Sequence, residues 1–189
     1  MTETNVSVTI LAISGSLRQL SSNTTVLRAA ALLTPDNIEI NLYTDLGSLP
    51  PFNPDLEGDE PQSVLNFRDA LKSAGGVMIC SPEYAHGVSG VLKNALDWVV
   101  GSGELAFGKP VSVINASATS KYADPQLREI LKTMDANVVP GASLAVPVLG
   151  RKLDEFGIAA DPALSQTLKA AIASLVTAIQ DHKPVDLTS

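Results

Sequence analysis

Two hydrophobic periods alternate along this chain, and their alternation predicts its elements. Val6 to Ser14 reads VSVTILAIS, β-branched and nearly continuously apolar toward its end, the pattern of a strand buried on both faces. A small polar stretch, Gly15 to Ser22, follows. From Asn23 the spacing turns helical, with Val26, Leu27, Ala30 and Leu33 on one face and Pro35 closing the helix. Ile38 to Tyr43 reads as a second strand. Thr44 to Gly58 holds Pro50, Pro51 and Pro54, and prolines this close exclude regular structure. Pro61 suits a first helical turn, continued by Val64, Phe67, Leu71 and Ala74 as far as Gly75-Gly76. Val77 to Cys80 is a short, buried third strand.

Ser81 to Gly90 is a loop, and Val91 to Val100 is the next helix. Val111 to Asn115 forms the fourth strand, and a polar loop from Ala116 to Asp124 leads into a helix from about Pro125 to Met134. Leu144 to Val148 reads as the fifth strand. Ser165 is the expected cap of a last amphipathic helix running to about Asp181. Strand and helix thus alternate five times, which predicts an α/β fold in a single domain over residues 1–189. Its form is a three-layer sandwich around a five-stranded parallel sheet. The natural strand order is 2-1-3-4-5, the flavodoxin-like arrangement. Ligands of such sheets sit beyond the carboxyl ends of the strands, at the switch point between strands 1 and 3. That rule selects the loops Gly15–Ser22 and Ser81–Gly90.

Composition narrows the function classes. Of 189 residues, 45% are hydrophobic and 17% charged, an ordinary globular balance. A net charge of −7 argues against a large nucleic-acid footprint, which needs clustered cations. Met1 to Asn5 is polar without a basic leader, and Val6 to Ile13 is far shorter than the roughly 20 apolar residues of a membrane span. The expectation is a cytoplasmic protein with no membrane partner. Cys80 is the lone cysteine, which fits a reducing compartment. At the end of a buried strand it reads as an inert small hydrophobe. With two histidines and one cysteine, no metal site is expected.

The two selected loops are also chemically unusual. The first, from Ser14 to Asn23, ends a strand and opens a helix whose N-terminus offers free backbone N–H groups. Ser16, Ser21, Ser22 and Asn23 add neutral donors and Arg18 a charged one, a set that suits a phosphomonoester. It lacks the Gly-Lys-Ser/Thr ending of a Walker A loop and the GxGxxG of a dinucleotide site. The other reading is a plain turn with Ser or Asn capping the helix. In the second loop, Pro82 fixes direction, Gly87 permits close approach of backbone to a flat ligand, and Tyr84 can stack on or edge a ring. Glu83 suits a cap or a ring contact, and His86 an acid–base group or a solvated side chain. Leu92 to Trp98 has helical spacing and reads as core plus interface. A third loop, Asn115 to Lys121, is rich in small donors and borders the same place. No catalytic triad or carboxylate pair stands out.

Taken together, GSLRQLSSN, LPPFNPD and SPEYAHGVSGVLKNALDW resemble the NADPH-dependent FMN reductase family, which includes quinone, azo-dye and chromate reductases. The resemblance runs from Val6 to about Ile179. It implies FMN as cofactor, with Ser16, Arg18, Ser21, Ser22 and Asn23 around the phosphate. Pro82, Glu83, Tyr84, Ala85 and Gly87 would run along the ring, with Ser117 opening the third flavin loop. Leu153 to Gly157 resembles the family's short acidic segment before the last helix. Departures are Ala85 where the family often has Asn, Leu20 in place of a glycine, and Ser117-Ala118-Thr119 without a following glycine pair. The implied activity is ping-pong hydride transfer from NADPH or NADH, through flavin, to a small-molecule electron acceptor, with no protein residue acting as catalyst. The implied assembly is a homodimer or homotetramer. A flavodoxin-like electron carrier without direct NAD(P)H reactivity is the alternative.

Overall fold

A computed structural model describes residues 8–117 and 119–182. The N-terminal residues through Ser7, including the expected start of the first strand at Val6, lie outside the described residues, as does Ala118 of the third loop. The central sheet has the order β2-β1-β3-β6-β7 with every pairing parallel, which is the flavodoxin-like order expected. Its strands are β1 (Val8–Ser14), β2 (Ile38–Tyr43), β3 (Gly76–Cys80), β6 (Pro110–Ile114) and β7 (Asn137–Val138). Strands β4 (Glu83–Tyr84) and β5 (Gly87–Val88) form a separate small hairpin.

Because side chains alternate across a strand, the continuous apolar runs feed two cores. Leu11, Ile13, Val77 and Ile79 face one core with Phe67, Leu71, Leu92, Leu96 and Leu127. These come from α2 (Gln62–Ser73), α3 (Gly90–Asp97) and α4 (Ala123–Thr133). Ile10, Ala12, Met78 and Cys80 face the other core with Val26, Leu27, Ile158, Leu168 and Ile172, from α1 (Ser22–Leu32), α5 (Glu155–Ala160) and α6 (Pro162–Asp181). Helix α6 is long and apolar enough to cross a membrane by length and composition alone. Its Leu164, Leu168, Ala171, Ile172 and Leu175 are instead buried against the sheet. The helix passes close to the sheet there: a Cβ on Gly76 would lie 2.7 Å from Ile179 Cδ1, which would have to shift.

The expected fifth strand is displaced. The regular pairing falls at Asn137–Val138, with Val111 opposite Val138. Leu144–Val148 continues the same edge but keeps only one bridge, Asn115 to Ala145. Pro140 and Pro147 lack the N–H a ladder requires, and a short 3₁₀ turn, Pro140–Ala142, interrupts the edge. Ser143 bridges the gap by accepting the Val113 N–H at Oγ (3.0 Å). The last helix also starts earlier than expected. Asp161, not Ser165, is its N-cap, accepting the Ala163 and Leu164 N–H groups with Pro162 in the first turn. The short α5, capped by Asp154, occupies the segment expected to be merely acidic.

Candidate functional site

Strand β1 sits between β2 and β3, so the loops leaving β1 and β3 part on opposite sides of the sheet and open a cleft between them. Ser14 pairs with Cys80 at the carboxyl ends, and the Gly15 N–H donates to the Cys80 carbonyl at 2.9 Å. A Cβ on Gly15 would lie 2.4 Å from Ser81 Oγ, so only glycine lets the two loops leave side by side. The cleft has a volume of about 310 Å³. Ser16, Arg18, Ser21, Ser22 and Asn23 line it from the first loop and α1. Pro82, Glu83 and Tyr84 come from the second loop, and Ser117 from the third. Ala85 and Gly87 are not among the lining residues; they belong to the tip and second strand of the β4–β5 hairpin.

The first loop is shaped like an anion cradle. Ser21 is the N-cap of α1, with extended backbone (φ −90°, ψ 125°), yet its side chain makes no capping hydrogen bond. Ser21 is 3% exposed, and its hydroxyl is a buried polar atom without a partner. Such an orphan is costly and calls for an explanation. The first turn of α1 contains no acidic residue, so its free N–H groups meet no competing carboxylate. The loop is held from beneath: Ser14 Oγ contacts Thr24 Oγ1 at 2.8 Å, and Ser16 Oγ accepts the Arg18 N–H at 3.3 Å. Asn23 accepts the Cys80 thiol at Oδ1 (3.3 Å). Full burial pushes the Cys80 thiol up to about 12, so it is protonated and inert at neutral pH. A phosphate oxygen would satisfy Ser21 and the helix N-terminus together, so the residues fit a phosphomonoester group.

The second loop is fixed by its own acid. Glu83 Oε2 accepts from the backbone N–H groups of Lys121 (3.0 Å), Tyr122 (2.8 Å) and Ala123 (3.0 Å), and from Ser120 Oγ (2.9 Å). The carboxylate is thus the cap of α4, supplied from a distant loop. These donors, Ala123 first and Tyr122 next, hold its pKa down at about 2. Gln126 Oε1 accepts the Val88 N–H at 2.7 Å, and His86 stacks on Tyr122 with ring centroids 4.1 Å apart. Three contacts therefore bind the hairpin to α4. Its turn residues, Ala85 (φ 49°) and His86 (φ 60°), are both left-handed, as a two-residue type I′ hairpin requires. Gly87 has no such φ; a Cβ there would meet Gln126 Oε1 at 3.3 Å. Tyr84 remains 57% exposed at the rim.

Sequence reasoning passed over several lining residues. Asn115, whose Oδ1 accepts the Ser117 N–H at 2.9 Å, and Ser120, which holds Glu83, were noted only as part of a polar loop. Leu149 lines the cleft and directly follows the expected fifth strand, a position the carboxyl-end rule selects. The proline-rich loop, expected to lack regular structure, forms two short 3₁₀ turns, Leu46–Ser48 and Pro54–Leu56, and is anchored. Asn94 Nδ2 and Trp98 Nε1 both donate to the Pro50 carbonyl (2.9 and 2.8 Å), and Phe52 meets the buried Trp98 edge-on.

A parallel sheet in this order, with a donor-lined cleft at its switch point, defines a flavodoxin-like fold. The family model for NADPH-dependent FMN reductase matches residues 8–148, and the chain belongs to that family. It is 34% identical over 160 residues to an NAD(P)H-dependent FMN reductase of Pseudomonas aeruginosa, covering 78% of this chain and 86% of that one. It is also 34% identical over 180 residues to an NADPH:quinone oxidoreductase of Arabidopsis thaliana, covering 89% and 90%. Among solved structures it resembles the flavoenzyme NAD(P)H:acceptor oxidoreductase FerB from Paracoccus denitrificans in fold. The TM-score is 0.74 and the identity 24%, over 93% of this chain and 98% of that one.

Proposed function

We propose that this protein, as a single domain, holds FMN in the cleft and uses NADPH or NADH to reduce it. A small acceptor such as a quinone, free flavin, azo compound or metal oxyanion would then be reduced in a ping-pong cycle. The observation that carries this reading is the orphan Ser21 hydroxyl at an open helix N-terminus inside the cleft. The cofactor, when bound, supplies the hydride chemistry itself. The chain's work is binding and orientation. Ser16, Ser21, Ser22 and Asn23 donate to the phosphate, and Arg18 adds a charge-assisted bond. Pro82, Glu83 and Tyr84 run along the ring, held in place because Glu83 is tied to α4, while Ala85 and Gly87 act from outside the cleft lining by shaping the hairpin that carries them. Ser117 contributes from the third loop.

No side chain is assigned as a catalytic acid, base or nucleophile, and Cys80 takes no part. The exposed Tyr84 and Leu149 on the cleft rim, 57% and 65% exposed, support a second wall supplied by a neighbouring subunit in a homodimer or homotetramer. The lone, buried Cys80 supports action in the cytoplasm. The test is FMN titration of Arg18→Ala. Loss of one charge-assisted bond, about 1.5–3 kcal/mol, weakens binding roughly tenfold to a hundredfold. Unchanged affinity contradicts the assignment.

A further inference from the structure

A second groove adjoins the cleft. It is about twice as large, at 610 Å³, and shares Arg18, Ser22 and Leu149 with the cleft. One wall is α1, where Ser22, Thr25 and Arg28 recur every three residues and form a polar stripe opposite the buried Val26, Leu27 and Ala30. The other wall is the turn after the fifth-strand segment, bent by left-handed Gly150 (φ 82°) and Lys152 (φ 51°). In this turn the neighbouring cations part company. Arg151 pairs with Asp161 at 2.7 Å, while Lys152 lines the groove.

Arg18, Arg28 and Lys152 therefore converge on one groove of a protein whose net charge is −7. Among the described residues none of the three forms an ion pair; the pairs are made by Arg68, Lys93, Arg128, Lys132 and Arg151. Asp154 and Glu155 also line the groove at the start of α5; Asp154 caps that helix through the Gly157 N–H at 2.7 Å, so both carboxylates sit at a helix N-terminus that offsets their charge. With Arg18 assigned to the FMN phosphate, Arg28 and Lys152 remain as the groove's own unpaired cations, a pair suited to an anionic group of a second ligand. FMN brings one phosphate, which the first loop accounts for. The reductant brings a pyrophosphate and, in NADPH, a further 2′-phosphomonoester.

We infer that this groove takes the adenosine half of the dinucleotide, with Arg28 and Lys152 holding the 2′-phosphate, so that these two residues set a preference for NADPH over NADH. The inference rests on the flavin reading for the position of the neighbouring cleft. Its test separates the two, because it begins with binding to the flavin-free protein. Calorimetry compares adenosine 2′,5′-bisphosphate with 5′-AMP. The expected result is at least about tenfold tighter binding of the bisphosphate, since charge-assisted hydrogen bonds are at stake. That advantage is lost in Arg28→Ala and Lys152→Ala and retained in Lys152→Arg. In steady state the same alanine variants raise KM for NADPH without changing kcat, leave the NADH reaction unaltered, and bind FMN like the parent.

Equal affinity of the parent for the two nucleotides overturns the inference. So does an undiminished preference in the variants, or parallel losses with NADPH and NADH. A fall in FMN affinity in Arg28→Ala would instead assign the groove to the flavin site and overturn it as well. Preferential binding of the bisphosphate by a protein that fails to bind FMN leaves this inference standing while the flavin reading falls.

Discussion

Replacing Ser21 with alanine should have opposite effects on the empty and the loaded protein. Serine at an N-cap ordinarily stabilises its helix by about 1 kcal/mol through a bond to the first-turn N–H groups. That bond is not made here, so its loss costs nothing. What alanine removes is a buried hydroxyl without a partner, and such a group carries a desolvation penalty of about 1–3 kcal/mol. The variant without flavin should therefore be more stable by about 1 kcal/mol, raising Tm by about 2–4 °C for a chain of this size. With FMN the sign reverses. A hydrogen bond to a charged phosphate, about 1.5–3 kcal/mol, is lost, and Kd rises about tenfold to a hundredfold. Calorimetric melting of the flavin-free protein and quenching of FMN fluorescence read the two halves. A less stable variant with unchanged FMN affinity would show that Ser21 is an ordinary cap and refute the phosphate cradle.

Three further outcomes follow from the same geometry. Glu83 is held at about 2, well below its ordinary 4.5. Its ionised form thus stabilises the hairpin–α4 junction fully above pH 4.5, and the contribution disappears as pH falls from there toward 2. Glu83→Gln should flatten acid unfolding over that window and loosen FMN binding, whereas an acid limb identical to the parent's would detach Glu83 from the junction. Ala85→Asn should raise stability by about 0.5–1 kcal/mol, because asparagine tolerates the left-handed turn better than alanine; a lowered Tm would mean the turn is not strained. Cys80 should resist thiol reagents at pH 8 in the folded protein and react once denatured, since burial holds the thiol up at about 12; stoichiometric labelling of the native state would contradict its burial.

The sheet was legible because strands covered on both faces must be continuously apolar, and VTILAIS and GVMIC carry little else. The edge strand was harder. One covered by fewer neighbours needs less apolar sequence, and Pro140 and Pro147 divide it, so the regular pair Asn137–Val138 carried too weak a pattern to see. The hairpin at Glu83–Val88 went unread because its turn is Ala85-His86 and not the Asn-Gly that signals a type I′ hairpin. Gly87, which draws the eye as the flexible residue, has ordinary backbone and lies against Gln126. The phosphate loop was visible as a cluster of donors after a strand. That Ser21 is unpartnered was not, since only the packed backbone shows whether an N-cap side chain makes its bond. Glu83 was recognisable as a cap or a ring contact; its four donors come from residues 120–123, contacts that no local spacing encodes.

The central claim, that this protein binds FMN and reduces it with a pyridine nucleotide, is tested most directly by an anaerobic absorbance titration of the FMN-reconstituted protein with NADPH and then NADH. The account predicts a bound-flavin spectrum that bleaches rapidly and stoichiometrically with at least one of the two donors. A bound flavin that neither donor bleaches would identify an electron carrier, and a protein that takes up no FMN would remove the site assignment altogether.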